Sequence, residues 1–221
     1  MARPTFPAEP VTPAEILDGY LPGVLAGFAS VAGTEQLRGE LGLKLCGEGG
    51  GEWRLELGEG RLSLRPGSRL DAPLTLVQTV EDWRDTLWQG RGAGLGRLLA
   101  SLFRADAAPP PAPPRFAQAA QAGFEALRKL DGLLRVAVVE SGRPRWCADL
   151  RLGPGELPAR PTTVVSMRAR DADRLLAGTL KPMEAFLSGR LRLSGDYGLL
   201  LQLYAAGRGL GGALEGPSRR A

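Results

Sequence analysis

Two stretches of this chain, residues 73–90 and 161–178, align without a gap at a constant offset of 88 positions. Thr75 meets Thr163, Leu76 meets Val164 and Leu87 meets Leu175. Each stretch reads as a strand that runs into a helix and stops at a glycine. A pattern that recurs at a fixed spacing carries the same local preferences twice, so the chain is expected to contain two related units. The division falls at residues 107–114, Ala-Ala-Pro-Pro-Pro-Ala-Pro-Pro, because proline this dense favours extended polyproline II and acts as a semi-rigid spacer. The expected organisation is a flexible proline-rich tail at 1–13, a first unit at 14–106, the linker at 107–114, a second unit at 115–206 and a flexible tail at 207–221.

The first unit opens with a helix start: Thr12 as N-cap, Pro13 at the first position and Glu15 closing a capping box. Ile16, Leu17, Tyr20, Leu21, Val24, Leu25 and Phe28 follow at helical spacing, with a bend expected at Gly19 and Pro22. The period then switches to two: Leu41, Leu43 and Leu45; Trp53, Leu55 and Leu57; Leu62 and Leu64; Leu74 and Leu76. Glycines between these runs supply turns, so neighbouring strands should be antiparallel. Thr79 caps a helix carrying Trp83 and Leu87 that ends at Gly90, with Glu81, Asp82 and Asp85 complementing its dipole.

The second unit repeats this order. A helix over 115–130 carries Phe116, Ala120, Phe124 and Leu127; strands follow with Leu134, Val136 and Val138, then Trp146, Ala148 and Leu150. Trp53 and Trp146 thus hold similar places in a second strand. After a strand over 162–167 and a helix over 171–177 comes a segment that the first unit lacks. Pro182 suits a first helical turn, Met183, Phe186 and Leu187 share a face, and Gly189 is placed to close the helix. Leu191 and Leu193 then alternate with Arg190 and Arg192, and Asp196 is placed to cap a last apolar helix. The fold class expected is α+β, each unit a mainly antiparallel twisted sheet covered by helices.

Little in the chain supports catalysis. It contains no histidine, which removes His-dependent triads, most zinc sites and the usual general base near neutral pH. Cys46 and Cys147 each sit in a strand-like run, where two buried reduced thiols are the expectation and a bridge between them the alternative. Glycines 92, 94 and 96 follow no βαβ start and lack the spacing of a nucleotide-binding loop. The net charge of +4 is spread over scattered arginines without interleaved aromatics, so no nucleic-acid partner is expected. Prolines interrupt the first residues, and no apolar run approaches the roughly 20 residues that span a bilayer, so a cytoplasmic protein without a transmembrane segment is expected.

With its elements in this order, the second unit resembles the sterol carrier protein type-2 family. The likeness lies in Trp146, in residues 163–167 (Thr-Val-Val-Ser-Met), in the helix ending at Gly178, in 180–182 (Leu-Lys-Pro) and above all in 186–196 (Phe-Leu-Ser-Gly-Arg-Leu-Arg-Leu-Ser-Gly-Asp). The first unit is similar through Trp53, residues 72–76 and residues 81–83, but departs after Gly90, as a degenerate copy would. The resemblance implies non-enzymatic binding or carriage of a lipid: a fatty acid, fatty acyl-CoA, sterol or isoprenoid-like molecule in an apolar tunnel, with no cofactor. The lining it implies is Val165, Met167, Leu175, Leu176, Leu180, Met183, Phe186, Leu187, Leu191, Leu193, Leu200, Leu203 and Tyr204. Lys181, Arg190 and Arg192 could meet the carboxylate or phosphate of an acyl-CoA, solvated edge charges being the plainer reading. A homodimer or a lipid-processing enzyme is the protein partner implied. The alternative is a structural or adaptor protein that keeps this fold without a ligand.

Overall fold

The computed structural model describes residues 4–26, 34–104 and 116–214; the linker at 107–114, Phe28 and the ends at 1–3 and 215–221 lie outside the described residues. A π-helical turn, Glu15–Tyr20, runs into α1 (Leu21–Ala26). Pro22 has no N–H to offer Asp18, and its ring crowds that carbonyl. The helix widens instead, and the Leu21 N–H reaches back to the Ile16 carbonyl. Upstream, the expected capping box is formed: Thr12 N–H donates to Glu15 Oε2 at 2.8 Å and Glu15 N–H donates to Thr12 Oγ1 at 3.3 Å.

Four strands follow, β1 (Gly39–Cys46), β2 (Gly51–Gly58), β3 (Arg61–Pro66) and β4 (Leu74–Thr79), then α2 (Val80–Gln89) and α3 (Ala93–Arg104). The second half contributes α4 (Phe116–Leu127), β5 (Gly132–Glu140), β6 (Arg143–Leu152), β7 (Thr163–Arg168), α5 (Ala169–Leu176), α6 (Pro182–Leu187), β8 (Leu191–Gly195) and α7 (Tyr197–Leu214). The β2–β3 and β5–β6 turns use Glu59-Gly60 and Ser141-Gly142, all at positive φ, the backbone that two-residue hairpin loops require.

All eight strands form one sheet in the order β3-β2-β1-β4-β6-β5-β7-β8. In each half the first strand pairs antiparallel with the second and parallel with the strand before the short helix: β1 with β2 and β4, β5 with β6 and β7. The halves differ in their outer strands. The first has β3 beside β2 but nothing of its own beyond β4; the second has β8 beside β7 but nothing of its own beyond β6. The two open edges, β4 and β6, pair antiparallel with each other, from Leu74 against Leu152 to Val77 against Asp149. Each half thus supplies the strand that the other lacks, and no sheet edge is left bare in the middle.

The alternation predicted for the strands sets the two faces. Leu43, Leu45, Trp53, Leu64, Leu134, Val138, Trp146, Val165 and Met167 lie buried under the helices. The opposite face is a ladder of ion pairs, including Lys44–Glu52 at 3.0 Å and Arg135–Asp149 at 2.7 Å, as a one-sided antiparallel sheet should be. Cys46 and Cys147 are unbridged and half-buried rather than buried, because each neighbours a core-facing residue (Leu45, Trp146) and so points to the ladder side.

Two further expectations are corrected. Residues 4–13 are no free tail: Phe6 packs edge-on against Tyr20 and beside Trp88, and Trp88 donates its indole N–H to the Pro7 carbonyl at 3.1 Å. One aromatic among the prolines gives the segment enough apolar area to dock. At the other end α7 continues to Leu214, into the segment expected to be a tail.

Candidate functional site

The second half owes its distinct chemistry to β8 and the helices around it. Register places Leu193 opposite Val165 and Leu191 opposite Met167, all on the helix side of the sheet. Val165 and Met167 are buried with Leu130, Leu134, Leu152, Ala172 and Leu199; Leu175, Leu191, Leu193, Leu200 and Leu203 pack half-buried against them. The helices above this floor divide into two groups. α7 lies along α4 and touches β7, whereas α5 packs on α3, β5 and β7, and α6 packs on β8. Among the described residues α7 shares no extended packing with α5 or α6. A seam is left between them.

Exposed apolar side chains occur on the helices at that seam. Tyr197 donates its hydroxyl to the Leu193 carbonyl at 3.2 Å, which turns its side of α7 toward β8. Leu201 and Tyr204 follow at i+4 and i+7 on the same helical face. Tyr204 is 69% exposed and Leu201 67%. On α5 and α6, Leu176, Phe186, Met183 and Leu187 are also exposed, Leu187 by 78%. α6 is only six residues long and anchors itself through Ala185, which is fully buried, so its larger side chains are left outside.

The sequence-derived lining therefore falls into three groups. Val165, Met167 and Leu180 are buried; Leu175, Leu191, Leu193, Leu200 and Leu203 are half-buried; Leu176, Met183, Phe186, Leu187 and Tyr204 are exposed. Leu180 is closed in the turn after α5, its N–H donating to the Arg174 carbonyl at 3.1 Å. Tyr197 and Leu201 were not among the predicted residues, though their spacing from Tyr204 was the signal that could have found them. Gly189 (φ 68°) takes the left-handed backbone expected, Gly195 (φ 91°) is also at positive φ, and Asp196 Oδ1 accepts the Gly198 N–H at 2.7 Å as the cap of α7.

The first half has no such seam. Trp83 is fully buried and meets Phe103 of α3 edge-on at 5.7 Å, with Trp88 and Phe6 adjoining. In chain order α3 follows α2 as α6 and β8 follow α5, but it packs on α2 and α5 while β6 holds the place beside β4, and the glycines at its start are packing devices. A Cβ on Gly92 would lie 2.7 Å from the Trp146 ring, and one on Gly94 2.7 Å from Leu176. This accounts for the glycine spacing without a nucleotide.

Two titratable groups outside the seam depart from their ordinary values. Burial pushes the Cys147 thiol up, the opposite of what a nucleophilic thiolate needs. Burial likewise raises Asp82, helped by Glu81 and Asp85. Among the described residues no helix is long and apolar enough to cross a membrane.

Comparison with known proteins bears on the same half. Residues 115–206 match the model of the SCP-2 sterol transfer family. A Xenopus laevis protein named hydroxysteroid dehydrogenase-like protein 2 is 33% identical over 84 residues, 36% of this chain and 20% of that protein. The chain thus spans a fifth of that curated relative. Among solved structures, Sterol Carrier Protein 2 Like 2 from Aedes aegypti is similar with a TM-score of 0.26 and 18% identity, over 40% of this chain and 92% of that one. The Aedes aegypti Sterol Carrier Protein-2, solved in complex with palmitate, gives a TM-score of 0.29 and 12% identity, over 42% and 96%.

Proposed function

We propose that the chain binds or carries a lipid, without catalysing a reaction on it, in the seam between α7 and the α5–α6 pair. The observation that supports this reading is the half-buried pair Leu191 and Leu193 of β8, which extends the buried apolar row of Val165 and Met167 beyond the cover of α5 and lies between α6 and α7, two helices that share no extended packing. Apolar side chains left exposed on α6 and α7 mark a surface that something is expected to cover. An acyl chain would do so: each methylene buried contributes about 0.8 kcal/mol, so affinity needs no polar recognition. The family match over 115–206 favours the same class of ligand.

In this reading the chain is a tandem pair whose first copy has degenerated. Residues 14–106 keep the strand path and the capped helix, but continue into α3 where the second copy continues into α6 and β8. The first copy then serves as a support that completes the sheet of the second. Lipid extraction and native mass spectrometry of the protein purified from cells test the reading, together with titration of a fluorescent fatty acid. A co-purifying lipid and saturable binding are expected. Protein that emerges free of lipid and ignores fatty acids would instead favour an adaptor that kept the fold.

A further inference from the structure

At one end of the sheet the β5–β6 turn, the end of β7 and the α2–α3 loop converge on a cleft of about 1000 Å³. Arg91, Arg145, Arg168 and Arg170 line it, against the single carboxylate of Glu140. A smaller cleft of about 270 Å³ adjoins it, sharing Arg168 and Arg170 and adding Arg190 and Arg192 beside Asp171. Arg91 is paired with Asp85 at 2.8 Å and Arg145 with Glu140 at 2.7 Å. Among the described residues no carboxylate pairs with Arg168, Arg170, Arg190 or Arg192.

The first half provides an internal control. Its β1–β2 turn, the end of β4 and the start of α2 line the equivalent cleft, about 530 Å³, but there Glu48, Glu81 and Asp85 face Arg84 alone, and Pro10 borders the space. Thr79 and Glu81 hold the N-cap and second positions of α2, and the Thr79 hydroxyl accepts the Asp82 N–H at 3.0 Å. Arg168 and Arg170 hold those positions in α5, and Arg168 makes no cap hydrogen bond. Two cations at a helix start oppose its dipole, so helix stability does not explain them. The local rule is broken twice in the half whose cleft is lined with cations, which is how a functional constraint reads.

Guanidinium groups fork onto phosphate oxygens with paired hydrogen bonds. One carboxylate would satisfy one such group, whereas four unpaired groups around adjoining clefts suit an anion with more oxygens and more charge. We propose that these clefts bind a phosphate-bearing group, carried either by a soluble molecule or by a lipid headgroup. The site stands on the arginines and their placement, and does not require a lipid in the seam.

The test titrates the full chain with inorganic pyrophosphate by calorimetry, and measures its sedimentation with phosphatidic acid or phosphatidylcholine vesicles. The variant R168E/R170E is compared with R61E/R65E, which makes the same charge change on the exposed edge of β3. Pyrophosphate binding should weaken at least about tenfold in R168E/R170E and stay within about twofold in R61E/R65E. R168K/R170K should lose part of the binding, because lysine keeps the charge without the fork. If phosphatidic acid vesicles bind with the same dependence on Arg168 and Arg170, a headgroup is a competent source; if pyrophosphate alone binds, the source is soluble. Should R168E/R170E fail to fold, R190E/R192E carries the comparison. Absence of binding in both arms, equal loss in R61E/R65E, or equal binding of phosphate-free polyaspartate would overturn the proposal. Fatty-acid binding in the seam is measured separately, so either site can fail alone.

Discussion

Trp146 on β6 donates its indole N–H to the hydroxyl of Thr86 on α2 at 2.7 Å, a buried hydrogen bond that crosses from the second half to the first. The Thr86 hydroxyl spends its own proton on the Asp82 carbonyl at 2.6 Å, so donor and acceptor roles are both filled. The equivalent tryptophan of the first half, Trp53, bonds within its own half, to Asp18 at 2.6 Å. Two residues at like positions have thus taken different partners, one of them stitching the halves together beside the β4–β6 pairing.

Replacing Thr86 with Val keeps the shape and removes the acceptor. The Trp146 N–H is then buried without a partner, and the cost should be about 1–3 kcal/mol. Urea unfolding of T86V followed by circular dichroism and by tryptophan fluorescence should show a lower midpoint with one coincident transition. Two separated transitions would mean that the halves unfold independently.

Gly92 sits at φ 90° with its α-carbon against the same indole. Gly92→Ala adds a methyl group where it meets the ring, in a backbone conformation that alanine avoids. A loss of about 2 kcal/mol is expected from the two effects together, read as a fall in thermal midpoint. Gly47, also at positive φ but with open space around its α-carbon, should cost less when changed to Ala.

Glu52 governs part of the pH dependence. Burial would raise its carboxyl, but the Lys44 ammonium at 3.0 Å and the buried Arg69 guanidinium at 3.4 Å outweigh that and hold it below the usual glutamate value. A depressed carboxyl adds stability above the unfolded value of about 4.3, and that stability is lost as pH falls through the folded value. Glu52→Gln should therefore cost about 2 kcal/mol near neutrality, with the gap to the native protein closing in acid. A gap that persists unchanged at pH 2–3 would point to packing rather than charge.

Local preferences made much of this fold readable. Alternating leucines located the strands, Thr12 with Glu15 and Asp196 announced their helix starts, and Gly189 announced a stop. What stayed hidden is non-local. Nothing in the periodicity of residues 74–79 or 143–152 says that their edges will pair, since an unpaired edge has no signature until the missing strands are counted. Phe6 was masked by the prolines around it. The helix past Gly207 was masked by its glycines, which lower helix propensity without forbidding it. The apolar residues of the floor and most of those around it were legible from residues 165–204, but their exposure was not, because exposure of Leu187 or Leu201 depends on how α6 and α7 lie over the sheet. The arginine clefts needed three distant turns to converge.

The central claim is that an apolar ligand occupies the seam between α7 and α6, and Leu187 probes it most cleanly because it is exposed. Leu187→Asp should leave the thermal midpoint unchanged, while removing a side chain whose burial by ligand is worth about 1.5–3 kcal/mol. Titration of a fluorescent fatty acid into L187D should therefore show affinity reduced at least about tenfold, with Leu102→Asp, also exposed but on α3, binding as the native protein does. Unchanged affinity in L187D, or an equal loss in L102D, would contradict the account.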